Sequence, residues 1–204
     1  MLRRFLALQF ARPSGWVGTR VIGPWLDRIS APMNRLALEM LEPRPGERVL
    51  DLGFGGGGLI AELLRAGCAP VGVDVSAAMV ERARRRFPGV ELHCASAERL
   101  PLRDRSVDKA ASLNSLYFWP EPAAALAQLA RVLRPSGRLV LLFEPPEELS
   151  KWPGHRHGFR LFNPAEVRGL MEQAGFVRIE ESWGTGRKPD RFCGLSGERA
   201  GAND

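Results

Sequence analysis

Apolar positions along the chain follow two different periods, which separate a helical start from an alternating body. Before residue 45 they recur at helical spacing, most clearly at Met33, Leu36, Ala37, Met40 and Leu41. Pro43, Pro45 and Gly46 then end the helix. From residue 48 onward, short apolar runs alternate with amphipathic segments, and strands are predicted over 49–52, 71–73, 90–92, 107–113, 139–143, 176–183 and 191–196. Strands that alternate with helices predict a doubly wound α/β fold with a mostly parallel sheet.

Length and composition fit one domain with a small appendage. The chain has 204 residues, of which 45% are hydrophobic and 25% charged, and this excludes a disordered chain or a collagen-like repeat. The three cysteines lack the spacing of a zinc site or a disulfide framework, so no metal is predicted. We expect a helical head over residues 1–45, a ligand-binding domain over 46–197 and a flexible tail over 198–204. Because no apolar run is long enough to span a membrane, a cytoplasmic protein is expected.

The charge is basic and is concentrated near the start of the chain. The net charge is +6, and residues 1–40 carry six arginines against two carboxylates. Such a balance permits an anionic partner, whether nucleic acid, a membrane surface or an acidic substrate, without choosing among them. Trp16, Trp25 and Leu26 accompany these arginines, which leaves peripheral membrane contact through the head open. A second basic run is interpreted as a solvated helix face; it consists of Arg82, Arg84, Arg85 and Arg86.

A glycine-rich segment carries the most informative chemistry. Residues 53–58 follow a predicted strand and open a helix, and Gly53, Gly55 and Gly58 form the pattern G-x-G-x-x-G. Glycine lets the backbone turn sharply and lets a ligand approach closely. Asp74 ends the next strand, 21 residues after Gly53, where a carboxylate can hold ribose hydroxyls. The segment predicts a nucleotide site without identifying the nucleoside.

The residues around this segment resemble the motifs of class I S-adenosylmethionine (SAM) dependent methyltransferases. The stretch 49–57 has an acid, Asp51, two residues before its first glycine, which is usual in that family and uncommon in dinucleotide enzymes. Residues 71–76 resemble the family's second motif, 95–102 its adenine-side loop and 131–139 the turn before its fifth strand. The resemblance covers residues 45–183 and implies the seven-stranded, Rossmann-like methyltransferase fold with SAM as cofactor.

The resemblance also implies roles for individual residues. Asp51 would place the methionine end of SAM, the glycines would wrap it, and Asp74 would bind the ribose. Asn114 would lie near the methyl donor. The full set of expected SAM-binding residues is Asp51, Gly53, Gly55, Gly57, Asp74, Val75, Met79, Ser96, Ala97 and Asn114. Two positions depart from the family pattern, since Ser96 replaces a common aspartate beside adenine and Ser136 replaces a glycine of the Pro-Gly-Gly turn.

The acceptor side of the site is less defined by the sequence. Residues 114–120 lack the paired prolines of enzymes that methylate exocyclic amines of nucleic-acid bases, which argues against a nucleic-acid substrate. The aromatic residues of this segment fit either core packing or an apolar acceptor pocket. The candidate catalytic residues are Tyr117, His155, His157 and Glu144. Glu144 and the two histidines are candidate general bases, needed only if the acceptor must lose a proton.

We therefore expect an enzyme that transfers a methyl group in line from SAM to a small acceptor, apolar, aromatic or lipid-like. A monomer or homodimer is expected. The pattern is most similar to quinone- and lipid-type methyltransferases, so an enzyme acting at a membrane surface is one alternative. An NAD(P)-dependent oxidoreductase and a non-catalytic SAM-binding protein are the others. The head over residues 1–40 is predicted to form a helical lid over the cofactor, or else to pack on a sheet-flanking helix.

Overall fold

A computed structural model describes residues 7, 9, 30–186 and 190–201, and places seven strands in one sheet. The strands are β1 (Arg48–Leu52), β2 (Ala69–Asp74), β3 (Glu91–Cys94), β4 (Val107–Leu113), β5 (Leu133–Phe143), β6 (Phe176–Thr185) and β7 (Arg191–Arg199). The helices are α1 (Ala31–Leu41), α2 (Gly58–Arg65), α3 (Ala77–Arg86), α4 (Pro122–Val132), the single turn α5 (Pro146–Leu149) and α6 (Pro164–Gln173). Among the residues described, no helix is both long and apolar enough to cross a membrane.

The strand order positions the functional site. The order is β3-β2-β1-β4-β5-β7-β6, with β1 to β5 parallel and β7 antiparallel to both β5 and β6. The predicted seven-stranded, mostly parallel sheet is therefore confirmed. The order reverses direction between β1 and β4, and a crevice forms outside the carboxyl ends of the strands at such a switch point.

Both faces of the sheet are covered, which explains the continuous apolar run over residues 139–143 of β5. In β5, Leu139 and Leu141 face one core with α4 and α6, while Val140 and Leu142 face another with α1 and α2. This alternation follows from the two-residue period of a strand. The two cores fix the strand ends, and with them the loops that carry the polar residues.

Helix α1 forms most of the described part of the predicted head, which consists of residues 7, 9 and 30–45. Pro32 in its first turn supplies a fixed φ, and Met33, Ala37 and Leu41 pack with α2 against the sheet. This part of the apolar stripe therefore packs on the sheet face beside a flanking helix. Residues 10–29 lie outside the described part of the chain, so the lid stays a prediction.

Two element boundaries differ by three or more residues from those predicted. Strand β5 begins at Leu133 rather than 139, with Ser136 at φ +60° and a register shift against β4 between Val107 and Lys109. The predicted Pro-Ser-Gly turn is thus an irregularity within the strand. Strand β7 continues to Arg199, where Glu198 pairs with Arg178 at 2.7 Å, so the sheet extends two residues past the predicted start of the tail.

Candidate functional site

A cleft of about 260 Å³ lies at the carboxyl ends of β1, β2 and β4. The loops after these three strands and the loop after β3 form its floor and walls, and the start of α1 closes one side. Eight of the ten expected SAM-binding residues line it: Asp51, Gly53, Gly55, Asp74, Val75, Ser96, Ala97 and Asn114. The topology therefore brings together residues from four separate segments of the sequence.

The glycine loop after β1 needs its glycines for different reasons. A Cβ on Gly53 (φ +76°) would lie 2.6 Å from Cβ of Ser115, so this glycine permits close approach of the loop after β4. Gly57, at φ +83°, is the N-cap residue before α2, and an added Cβ would lie 2.6 Å from the ring of Phe87. Gly55 at φ +49° has no neighbour nearer than 4.0 Å to that position. Of these three glycines, Gly55 is therefore the one that leaves space for a ligand.

Asp74 connects the glycine loop to the start of α3 through hydrogen bonds. Its Oδ2 accepts a hydrogen bond from the Gly55 backbone N–H at 2.9 Å, and its Oδ1 accepts one from Ser76 N–H at 2.8 Å. Ser76 in turn caps α3 by accepting from Met79 N–H at 3.3 Å. A carboxylate has lone pairs for further donors, so Asp74 can hold the loop and still bind hydroxyl groups.

Asp51 is a buried acid on the cleft floor. Its side chain is 3% exposed, and its Oδ2 has no hydrogen-bond partner. Burial, together with the nearby charge of Asp74, raises the pKa of Asp51 to about 8, although a backbone hydrogen bond from Ile60 opposes this. A buried carboxylate oxygen without a donor is costly unless a ligand supplies one. The site therefore fits a cationic or hydrogen-bond-donating ligand group beside Asp51.

The cleft wall beyond Asp74 is suited to a flat, weakly polar group. Val75 is 41% exposed there, which is high for an apolar side chain at the end of a buried strand. Ser96 and Ala97 form the facing edge, and the Ser96 carbonyl is already occupied by Arg99 N–H. The Ser96 hydroxyl replaces the family's aspartate and keeps an acceptor at this position. An apolar surface with one polar edge is the chemistry that an adenine ring requires.

The loop after β4 is tied together at the other end of the cleft. Ser115 Oγ lies 2.8 Å from Ser112 Oγ and accepts from Trp119 Nε1 at 3.0 Å, while Ser112 donates to the Leu52 carbonyl at 2.9 Å. These bonds fix Trp119 and the loop to the end of β1. Asn114, at φ +52°, lines the cleft here, as do Phe118 and Trp119.

The candidate catalytic residues lie behind or away from this cleft. Tyr117 is buried and donates to Asn114 Oδ1 at 3.0 Å, and it accepts from the Glu144 backbone N–H. Burial and the charge of Glu144 raise the pKa of Tyr117 well above its usual range. Burial and Glu148 raise the pKa of Glu144 to about 7. His155 shares a 2.7 Å hydrogen bond with the Trp152 carbonyl, and His157 is exposed. None of the four lines the cleft.

Two expected cofactor residues also lie off the cleft. Met79 is fully buried and packs with Phe54, Ile60 and Phe87, and Gly57 adjoins the same apolar cluster. Conversely, Ser30 and Asn34 line the cleft without having been expected to. Asn34 is a polar residue on the apolar face of α1. This interruption of the apolar pattern is a feature of the sequence that could have identified Asn34 as a site residue. Within the described ranges, no cluster of His, Cys, Asp and Glu could hold a metal ion.

Comparison with known proteins agrees with this geometry. Residues 50–141 match the family model described as a methyltransferase domain. The chain is 31% identical over 160 residues to the aklanonic acid methyltransferase DauC of Streptomyces sp. strain C5, covering 74% of this chain and 69% of that protein. It is 40% identical over 119 residues to a demethylmenaquinone methyltransferase of Beutenbergia cavernae, covering 56% and 50%. Several other curated relatives are also longer, and the chain spans 32% to 47% of their length.

A solved structure shares the fold. A SAM-dependent methyltransferase from Aquifex aeolicus superposes with a TM-score of 0.72 at 23% identity, over 87% of this chain and 96% of that one. At this identity the likeness concerns the fold alone.

Proposed function

Because the chain belongs to the class I SAM-dependent methyltransferases, we propose that it transfers a methyl group from SAM to a small aromatic or otherwise apolar acceptor. The observation that carries this proposal is the composition of the cleft described above. Asp51, Gly55 and Asp74 form its polar part, and Phe118 and Trp119 form an aromatic wall beside Asn114. A polar cofactor and an apolar acceptor would thus meet in one cavity.

The residues of this chain fit SAM at both ends. Asp51 offers a buried, unpartnered oxygen to the cationic methionine end, and Gly55 leaves space for it. Asp74 would accept from the ribose hydroxyls, while Val75, Ser96 and Ala97 would enclose adenine. When bound, SAM supplies an electrophilic methyl on a sulfonium centre. The chain's contribution is to hold the acceptor opposite that centre, and orientation alone can supply much of the rate.

The acceptor end is backed by a cluster of aromatic rings. Phe118 packs edge-on against Phe159 with ring centroids 4.5 Å apart, and Phe159 also contacts Tyr117 and Trp152. Such a rigid apolar wall would orient a planar acceptor and exclude water. Glu144 follows the end of β5, and its backbone N–H donates to Tyr117. Because neither residue lines the cleft, we assign neither of them the role of general base.

Incubation of the purified protein with methyl-labelled SAM tests the proposal. The two probe acceptors are aklanonic acid and a short-chain demethylmenaquinol, followed by a metabolite extract with mass identification of labelled products. We expect labelled transfer to a small aromatic or apolar compound. SAM binding without transfer to any compound would instead support the non-catalytic alternative, and binding of NADH in place of SAM would support an oxidoreductase.

A membrane-surface quinone or lipid methyltransferase is the second candidate. The relative from Beutenbergia cavernae is a demethylmenaquinone methyltransferase by name, and the basic head with Trp16 and Trp25 would supply the membrane contact. These head residues lie outside the described part of the chain. Co-sedimentation with anionic liposomes distinguishes the two, because an enzyme for a freely diffusing acceptor should stay in the supernatant.

Asp74→Ala should weaken SAM binding by about 1–3 kcal/mol, because the ribose hydroxyls lose a charged acceptor and the loop loses its hydrogen bond to Gly55. Calorimetric titration with SAM measures the loss. Asp104→Ala is the matched control, since Asp104 is an exposed aspartate that does not line the cleft and pairs with the half-buried Arg131. Equal affinities in the two variants would remove Asp74 from the site.

A further inference from the structure

Two arginines of α3 contact the glycine loop rather than solvent alone. Arg82 Nη1 donates to the Gly56 carbonyl at 2.9 Å, and Arg86 Nη1 donates to the same oxygen at 2.7 Å. Their spacing of four residues places both on one side of the helix. Of the other two arginines of this run, Arg84 pairs with Glu81, and Arg85 is exposed, as is Arg86 apart from its contact with Gly56. The predicted solvated face is thus solvated only in part.

The contact continues at the next residue of the loop. The Arg86 guanidinium lies 4.9 Å from the centroid of the Phe87 ring, and that ring fills the space beside Gly57. Helix α3 therefore holds Gly56 by two charged donors and Gly57 by an aromatic ring. On its other side, the loop is held by the hydrogen bond from Gly55 N–H to Asp74.

A loop of this composition needs such support. Gly53, Gly55 and Gly57 all have positive φ values, and glycines lose more conformational freedom on ordering than other residues. A carbonyl oxygen has two lone pairs, and here two charge-assisted hydrogen bonds occupy both. Ordering the loop before a ligand arrives lowers the entropic cost of binding.

We propose that Arg82 and Arg86 are positioning residues that hold the glycine loop in its SAM-binding shape through the Gly56 carbonyl. The proposal rests on the proposed function, in that the loop wraps the methionine end of SAM. It adds that affinity for this end depends on two side chains of α3 that do not line the cleft. The adenosine end, held by Asp74, Val75 and Ser96, should depend on them much less.

Calorimetry with two probes tests this on the full chain. The probes are SAM and 5′-methylthioadenosine, which lacks the methionine end. In the double variant Arg82→Ala with Arg86→Ala, SAM should bind about tenfold more weakly, while 5′-methylthioadenosine should change less than about twofold. The double lysine variant should recover most of the loss, because an ammonium group still donates. Arg85→Ala is the control, and it should match the unmodified protein.

Two results would overturn the proposal. SAM affinity within about twofold of the unmodified protein would show that the loop needs no such support. Equal weakening of both probes would show a general structural role. If the double variant does not fold, the single variants Arg82→Ala and Arg86→Ala are measured instead. The loss of SAM affinity is then compared with the loss of 5′-methylthioadenosine affinity in the same way. If the unmodified protein binds neither probe, the proposed function itself is refuted. This result is distinct from the two above, because both of those require binding by the unmodified protein.

Discussion

Substitution of Gly55 by valine is expected to abolish measurable SAM binding, by at least about 100-fold or ~3 kcal/mol, while the protein still folds. At this position an added Cβ meets no protein atom within 4.0 Å beyond the Gly53 carbonyl, so the core does not need to rearrange. The valine side chain would instead enter the cleft, where the methionine end of SAM is proposed to lie. Calorimetry measures binding, and circular dichroism with thermal unfolding measures the fold.

Backbone strain must be separated from blockage of the cleft. Gly55 has φ +49°, and a β-branched residue in this region costs about 1–3 kcal/mol wherever it occurs. Gly89→Val is the control, because Gly89 has φ +88°, open space around its Cβ position and a place in the turn before β3. Gly89→Val should lower the melting temperature without weakening SAM binding. Normal SAM binding by a folded Gly55→Val protein would contradict the proposed path of the cofactor.

The fold could be predicted from the sequence because apolar residues recur with one period in its strands and with another in its helices. The apolar run over residues 139–143 has one simple physical interpretation, and it lies within β5 as expected. The start of β5 at Leu133 was harder to predict from the sequence. Pro135 and Gly137 are ordinary turn residues, and only the pairing with β4 makes them part of a strand.

The sequence predicts which segments of the chain form the site, but it predicts less well which side chains of those segments face the cleft. Loops that follow parallel strands must meet at one edge, so the proximity of Asp51, Asp74 and Asn114 follows from topology. Which face of a helix or turn meets the cleft is decided by packing. Met79 points into the apolar cluster, and Tyr117 is buried behind Asn114. The sequence does not distinguish Gly55, which leaves ligand space, from Gly57, which accommodates Phe87.

Asp51→Asn should make the unliganded protein more stable at pH 8 and above. The pKa of Asp51 is raised to about 8 in the folded state by burial and by Asp74, whereas in the unfolded chain it is near its ordinary 3.8. Between about pH 4 and pH 8 the folded state therefore keeps a proton that the unfolded state has released. The free energy of unfolding consequently falls as pH rises through this window, by up to about 1.4 kcal/mol per pH unit, and levels off above it. An asparagine carries no such penalty.

The same substitution should weaken SAM binding, and pH separates the two effects. Ionised Asp51 would attract the cationic end of SAM, so in the unmodified protein SAM affinity should increase as pH rises from 6 to about 8.5. In Asp51→Asn the affinity should be about tenfold or more lower at pH 8.5 and should lack this part of the pH dependence. Thermal unfolding and calorimetry on both proteins across this range measure stability and affinity together. A variant that is less stable at pH 8.5, or that binds SAM as tightly as the unmodified protein, would show that Asp51 supports the fold and not the ligand.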